Sequence, residues 1–265
     1  MTPGYIDLTV GQVAIAAALI VVNAVVSIAL KLGMERRLAV ASVRTVAQLA
    51  LIGLVLEWVF AARSWPVVLG LAAVMALVAG VAAVRRNERR YPGIWFNSLV
   101  SMWASSWLIG AVAVFGVVRV EPWYEPQYAI PLLGMILGNT LNGIALGLDR
   151  LTEELTARRD RVETLLALGA SRWEAAREAV RRAVRTGMIP IVNAMMVVGI
   201  VSIPGMMTGQ LLAGVDPAEA VEYQIVIMFL IASGTALGTV GVVLLGWHRL
   251  FNHRHQFLYH AIESR

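Results

Sequence analysis

Seven stretches of mostly apolar residues, at roughly 10–30, 39–60, 66–84, 94–118, 128–148, 188–210 and 224–246, dominate this chain. Each is close to or above the ~20 residues a helix needs to cross the hydrocarbon core of a bilayer. Backbone inside hydrocarbon must satisfy its own hydrogen bonds, so the predicted fold is an all-α integral membrane protein with seven transmembrane helices. Composition agrees: 58% of the 265 residues are hydrophobic, 15% are charged, and mean hydropathy is +0.72. Such values exclude an ordinary soluble domain. The predicted organisation is a single transmembrane domain over 1–265, with one large polar insertion at 149–187 and a polar tail at 247–265.

Basic residues in short loops stay on the cytoplasmic side, and here they alternate cleanly. Lys31, Arg36 and Arg37 follow the first run; Arg85, Arg86, Arg89 and Arg90 follow the third; nine arginines from Arg150 to Arg185 follow the fifth; Arg249, Arg254 and Arg265 end the chain. The opposite side carries Arg63 and Arg119 against Asp7, Glu121, Glu125, Asp216, Glu219 and Glu222. Seven crossings with this pattern put the N-terminus outside and the C-terminus in the cytoplasm. The first basic residue, Lys31, comes after the first apolar run, so that run reads as an uncleaved anchor and not as a secretory signal. Trp58, Trp65, Trp95, Trp107, Trp123 and Trp247 fall mainly near the expected interfaces.

Several chemistries drop out at once. A Walker A loop needs a lysine after glycines and before Ser or Thr, and the only lysine, Lys31, precedes Leu32. The chain therefore brings no nucleotide-hydrolysing loop of its own. With no cysteine there is no disulfide, thiolate metal site or thiol nucleophile. All four histidines lie after residue 247, and His253-x-His255 reads as part of a solvated tail.

The insertion at 149–187 holds nine arginines and seven acids in the order helix, glycine turn, helix. Leu151, Leu155, Val162, Leu165 and Leu166 make one helical stripe. Gly169 supplies a left-handed helix end. Ser171 and Glu174 form a capping box that opens a second helix, whose stripe is Trp173, Ala176, Val180, Val184 and Gly187. A pair of short helices between spans either lies on anionic lipid or docks a cytoplasmic protein. A balance of +2 and tethering at both ends argue against nucleic acid.

The string Val162-Glu163-Thr164-Leu165-Leu166-Ala167-Leu168-Gly169-Ala170-Ser171, with Ile189-Pro190 beyond it, resembles the coupling region of ABC-transporter permeases. Arg44-Thr45-Val46-Ala47-Gln48-Leu49, Asn139-Thr140-Leu141-Asn142-Gly143, Ser202-Ile203-Pro204-Gly205-Met206-Met207-Thr208-Gly209-Gln210 and Tyr223-Gln224-Ile225 together resemble the FetB family of iron-export permeases, related to plant half-transporters of aluminium tolerance. The resemblance runs from about residue 40 to 232. It implies a permease homodimer in the bacterial inner membrane, paired with a separate FetA-type ATPase that binds ATP and Mg, with no cofactor in this chain. It also implies that Glu163, Gly169, Ala170, Ser171 and Trp173 couple to that ATPase, and that iron or another metal cation is exported.

Polar residues inside spans are expensive, and each has a bland reading beside the functional one. Arg44 and Gln48 share a face of the second run: Arg44 either snorkels or borders a path. Glu57, beside Trp58, is an interfacial acid or an entry carboxylate. Asn139 and Asn142 stand one turn apart, with Asn193 in the sixth run: they are packing glue or carbonyl ligands of a path. Met188, Met195, Met196, Met206 and Met207 are adaptable filler or soft ligands, and the metal itself stays unknown. Gly134-x-x-x-Gly138, Gly143-x-x-x-Gly147 and Gly234-x-x-x-Gly238 mark close helix approaches, within the chain or between two copies. Pro204, flanked by Ser202 and Gly205, is expected to break the sixth span over Ser202–Gln210 beside the translocation path. The rival to an ATP-driven permease is a secondary carrier or channel, which would want a carboxylate near the midplane that the runs do not supply.

Overall fold

The computed structural model describes residues 9–264; Asp7 and Arg265, counted above among the outer and inner charges, lie outside them. The chain divides into two compact units, Met1–Arg63 and Ser64–Arg265.

In the first unit, α1 (Val10–Ala29) and α2 (Glu35–Ala62) form a helical hairpin. Thr9 and Gln12 start α1 with a reciprocal capping box. At the connection the Ser27 hydroxyl donates to Glu35 (3.0 Å) and accepts from the Met34 amide (2.9 Å). Both helices expose apolar side chains nearly all round, as a lipid-facing or unpartnered helix does.

The second unit is built around α5 (Pro126–Ala157), which packs against α3 (Trp65–Arg85), α4 (Ile94–Ala111), α7 (Arg172–Val197) and α9 (Pro217–Leu250). α4 runs on into a π-helical stretch, Val112–Val118. Prolines open α3, α5 and α9 in the first turn, where a missing N–H costs nothing. The short helices α6 (Arg159–Ala167) and α8 (Gly205–Leu212) flank α7. A two-stranded ribbon pairs β1 (Arg89–Arg90) with β2 (Glu263–Ser264) antiparallel.

Small residues set the helix spacing. An ideal Cβ on Gly187 of α7 would stand 2.6 Å from the Gly143 carbonyl oxygen of α5, and one on Gly147 would stand 3.1 Å from Thr239 of α9. Gly234 and Gly238 of α9 likewise meet Ile136, Thr140 and Ser105. Two of the glycine repeats thus serve contacts inside the chain, whereas Gly138 faces open space.

Six helices among the described residues are long and apolar enough to cross a membrane: α1, α2, α3, α4 with its π-helical extension, α5 and α9. The chain is a multi-pass membrane protein. The expected seventh, 188–210, is not one helix. α7 ends at Val197, Gly199 adopts φ +81°, and the backbone stays non-helical to Pro204, which caps α8. The break, Val198–Pro204, thus starts upstream of the expected Ser202–Gln210 and overlaps it at Ser202–Pro204, while Gly205 and Gly209 are helical instead of flexible. The insertion also differs from two self-contained helices. α5 continues past the membrane run to Ala157 before bending at Arg158, and α7 carries the second stripe on to Val197.

His253 and His255 are exposed, as expected of a solvated tail, but the tail around them is folded. Phe251 bridges to Phe257 with their rings stacked 5.1 Å apart, β2 joins β1, and the His255 Nδ1 accepts the Arg172 amide N–H at 2.9 Å. Phe251 is buried and Phe257 half-buried against the body, and that apolar burial holds the short segment in place.

Candidate functional site

Two features stand at the ends of α7: the turn that opens it and the break that closes it.

The turn is over-determined by sequence. Gly169 takes φ +88°, its N–H donates to the Leu166 carbonyl (3.1 Å) and the Ala170 N–H to that of Leu165 (3.0 Å), which completes a Schellman end for α6. Ser171 then caps α7: the Glu174 amide donates to its hydroxyl (3.3 Å), and the Ser171 amide donates to the Glu174 carboxylate (2.8 Å). The Ser171 hydroxyl, then its amide, hold the Glu174 carboxyl below the usual glutamate range. Leu168 at the tip is 79% exposed. Trp173, 41% exposed, packs edge-on against Trp247 at 5.0 Å. Glu163 is engaged on its own helix, accepting from Arg159 Nε at 2.6 Å, and the Arg159 guanidinium lies 4.1 Å above the Tyr259 ring of the tail.

Behind the turn sits a residue the sequence reading missed. Glu154 is 5% exposed and bridges Arg150 on α5, Arg158 at the bend after it and Arg182 on α7. Its ion pairs fasten α5 to α7 where both leave the apolar core. The Arg150-x-x-x-Glu154-x-x-x-Arg158 ladder, lying on the same stripe as Leu151 and Leu155, was the available signal.

The break borders a cavity of about 450 Å³ between the end of α7, α8 and α9. Met195, Gly199, Met207, Gln224 and Met228 are among its lining. Gln224 is 6% exposed, and its Oε1 has no hydrogen-bond partner. Ser202 is exposed and Pro204 half-buried within the break. Met206 packs on the apolar cluster of Ile191, Ile227 and Ile231, while Met207 turns to the cavity.

The remaining polar candidates are dispersed. Arg44, Gln48 and Glu57 lie exposed along α2 in the first unit. Asn139 Nδ2 donates to the Met135 carbonyl of its own helix (2.9 Å), and Asn142 Oδ1 accepts from Arg86 (2.7 Å), so the pair does not act as one ligand set. Asn193 is exposed on α7.

No solved structure matches the chain. Among curated proteins it is 41% identical to the UPF0014 membrane protein slr1647 of Synechocystis, over 81% of this chain and 83% of that one. It is 27% identical to the probable iron export permease protein FetB of Escherichia coli, over 98% of each. It is 29% identical to Protein ALUMINUM SENSITIVE 3 of Arabidopsis thaliana, over 96% of this chain and 92% of that one. The model of the Uncharacterised protein family UPF0014 matches residues 10–251, and the chain belongs to that family of membrane proteins.

Proposed function

We propose that this chain is the membrane-spanning permease subunit of an ABC-type transporter in a bacterial inner membrane, exporting iron or another metal cation. It works as a homodimer with two copies of a separate cytoplasmic ATPase, which supplies the ATP and Mg chemistry. The observation that carries this reading is the continuity of α7. Its 26 residues, about 39 Å at 1.5 Å per residue, join the exposed turn at Gly169 to the break at Val198–Pro204. One helix, with Pro190 in its interior, that has an exposed turn at one end and broken backbone beside a cavity at the other can carry motion from an ATPase to a path. Broken backbone at membrane depth is tolerated only against protein or beside a water-filled cavity.

Orientation follows from charge. The basic loops around β1, the α6–α7 turn and the tail lie on the cytoplasmic side, and the acidic start of α9 at Asp216, Glu219 and Glu222 faces out. If α9 spans inward from there, the segment from α7 through α8 makes the opposite crossing as a broken span. Seven crossings result, although six are single helices. Iron is favoured by the FetB relative's name.

The test is purification from native membranes in mild detergent, followed by flux in proteoliposomes. The chain alone should hydrolyse no ATP, and with its nucleotide-binding partner it should move metal only when ATP is present. Flux driven by an ion gradient without any partner would make it a secondary carrier.

A further inference from the structure

We infer that the C-terminal tail is a clip on the α6–α7 turn: His255 caps the start of α7, Tyr259 seats α6, and together they set the turn that the partner ATPase meets. This deepens the permease reading above and rests on it for the last step.

The start of α7 draws on distant residues. The first amides of a helix have no partner within it, and the capping box satisfies those of Ser171 and Glu174. The amide between them in the first turn, that of Arg172, donates to His255 Nδ1 at 2.9 Å, from 83 residues away. A ring nitrogen that accepts carries no hydrogen, so this imidazole holds its hydrogen on Nε2. The Arg172 carbonyl in turn accepts from Trp247 Nε1 (3.3 Å), and the Arg172 guanidinium lies 5.3 Å from the Trp247 ring centre. Amide, carbonyl and guanidinium of one residue are thus all engaged by α9 and the tail. The other arm of the turn is held as well, because the Arg159 guanidinium of α6 rests 4.1 Å above the Tyr259 ring.

The tail is shaped to present these groups. The Leu258 amide donates to the Leu250 carbonyl (2.8 Å) and the Asn252 amide to that of Gln256 (3.1 Å), closing a short hairpin. Inside it the Asn252 Oδ1 accepts from the Arg254 and Gln256 amides at 3.0 and 2.9 Å. The loop puts His255 at φ +56°, a left-handed conformation that is costly without glycine. That strain falls on the residue whose ring reaches α7. Gly169, at φ +88°, joins α6 to α7 through a single turn, and a tail that grips both helices selects one angle between them.

The experiment uses the purified full-length chain in detergent and reads hydrogen exchange at the Arg172 amide, corrected for its intrinsic rate. His255→Gly removes the acceptor while easing the left-handed backbone. His255→Asn keeps an acceptor, since Asn tolerates that conformation and its Oδ1 stands as many bonds from the backbone as Nδ1 does. Exchange should quicken about two- to fivefold in His255→Gly, the lower part of the range for one hydrogen bond because the ring is exposed. It should stay at the wild-type rate in His255→Asn and in His253→Ala, whose ring meets His248 instead. Elution as a single species checks folding. Binding of the ATPase should weaken by a similar factor in His255→Gly and return in His255→Asn. Wild-type exchange in His255→Gly, or equal quickening in the Gly and Asn variants, overturns the cap. Faster exchange with unchanged ATPase binding overturns its role at the docking turn. A wild-type chain that binds no ATPase contradicts the permease reading and with it the docking role, while exchange still decides the cap, so the two failures are distinguishable.

Discussion

At the scale of single residues, the molecule turns on places where one atom too many or too few has a definite cost. Gly187→Ala puts a Cβ 2.6 Å from backbone of α5, which cannot yield without parting the helices. We expect a loss of about 1–3 kcal/mol, seen as a lower melting temperature in detergent. Gly209→Ala is the control, because nothing lies within 4 Å of its Cβ and a helical alanine gains up to about 1 kcal/mol over glycine. Glu154→Ala removes the buried acceptor of three arginines. Their heads stay more than a third exposed and can turn to water, so the expected cost is about 1–2 kcal/mol, below that of a fully buried pair. Thermal melts of the variant beside Arg182→Ala would show whether the α5–α7 link carries that cost. Gly169, Ser171 and Glu174 were readable in sequence because capping chemistry is local. Glu154 and Gln224 stand out through their burial, which other helices supply; the arginines four residues to either side of Glu154 were its one local sign.

At the scale of elements, the turn and the break behave differently under perturbation. Glu174 has a folded-state carboxyl below its ordinary range. Its contribution to the start of α7 is present above the unfolded glutamate value and is lost as pH falls through the lowered folded value. Hydrogen-exchange protection at the Ser171 and Glu174 amides, corrected for intrinsic rates, should therefore drop in that acidic window, and Glu174→Gln should abolish the dependence. The long apolar helices were legible because hydrophobic length is a property of a contiguous segment. The position of the break was legible only at its downstream end, Ser202–Pro204. Pro204 drew it to Ser202–Gln210, but proline is comfortable at a helix start, and the disruption passed to Gly199, whose φ of +81° ends α7 five residues earlier. The order of the tail was hidden for a similar reason: Phe251 and Phe257 are separated by polar residues, and only their bridge and ring stacking in the fold show that they pack.

At the scale of the whole molecule, the proposed permease would have its ATPase act on the α6–α7 turn, displace α7 and change the environment of the break. Gly169→Val strains a left-handed position at a cost of about 1–3 kcal/mol and resets the angle between α6 and α7 without touching the spans. It should abolish partner binding and ATP-driven flux while leaving membrane insertion intact, as checked by co-purification and transport. The absence of cysteine from the sequence permits the most direct test of the central claim. A single cysteine placed at the exposed Ser202, in the chain assembled with its ATPase, is labelled with a polar thiol reagent with and without nucleotide. The expected outcome is a labelling rate that changes with nucleotide and a response that disappears when Gly169→Val is added. An identical rate in every nucleotide state, or a nucleotide response that survives Gly169→Val, would contradict it.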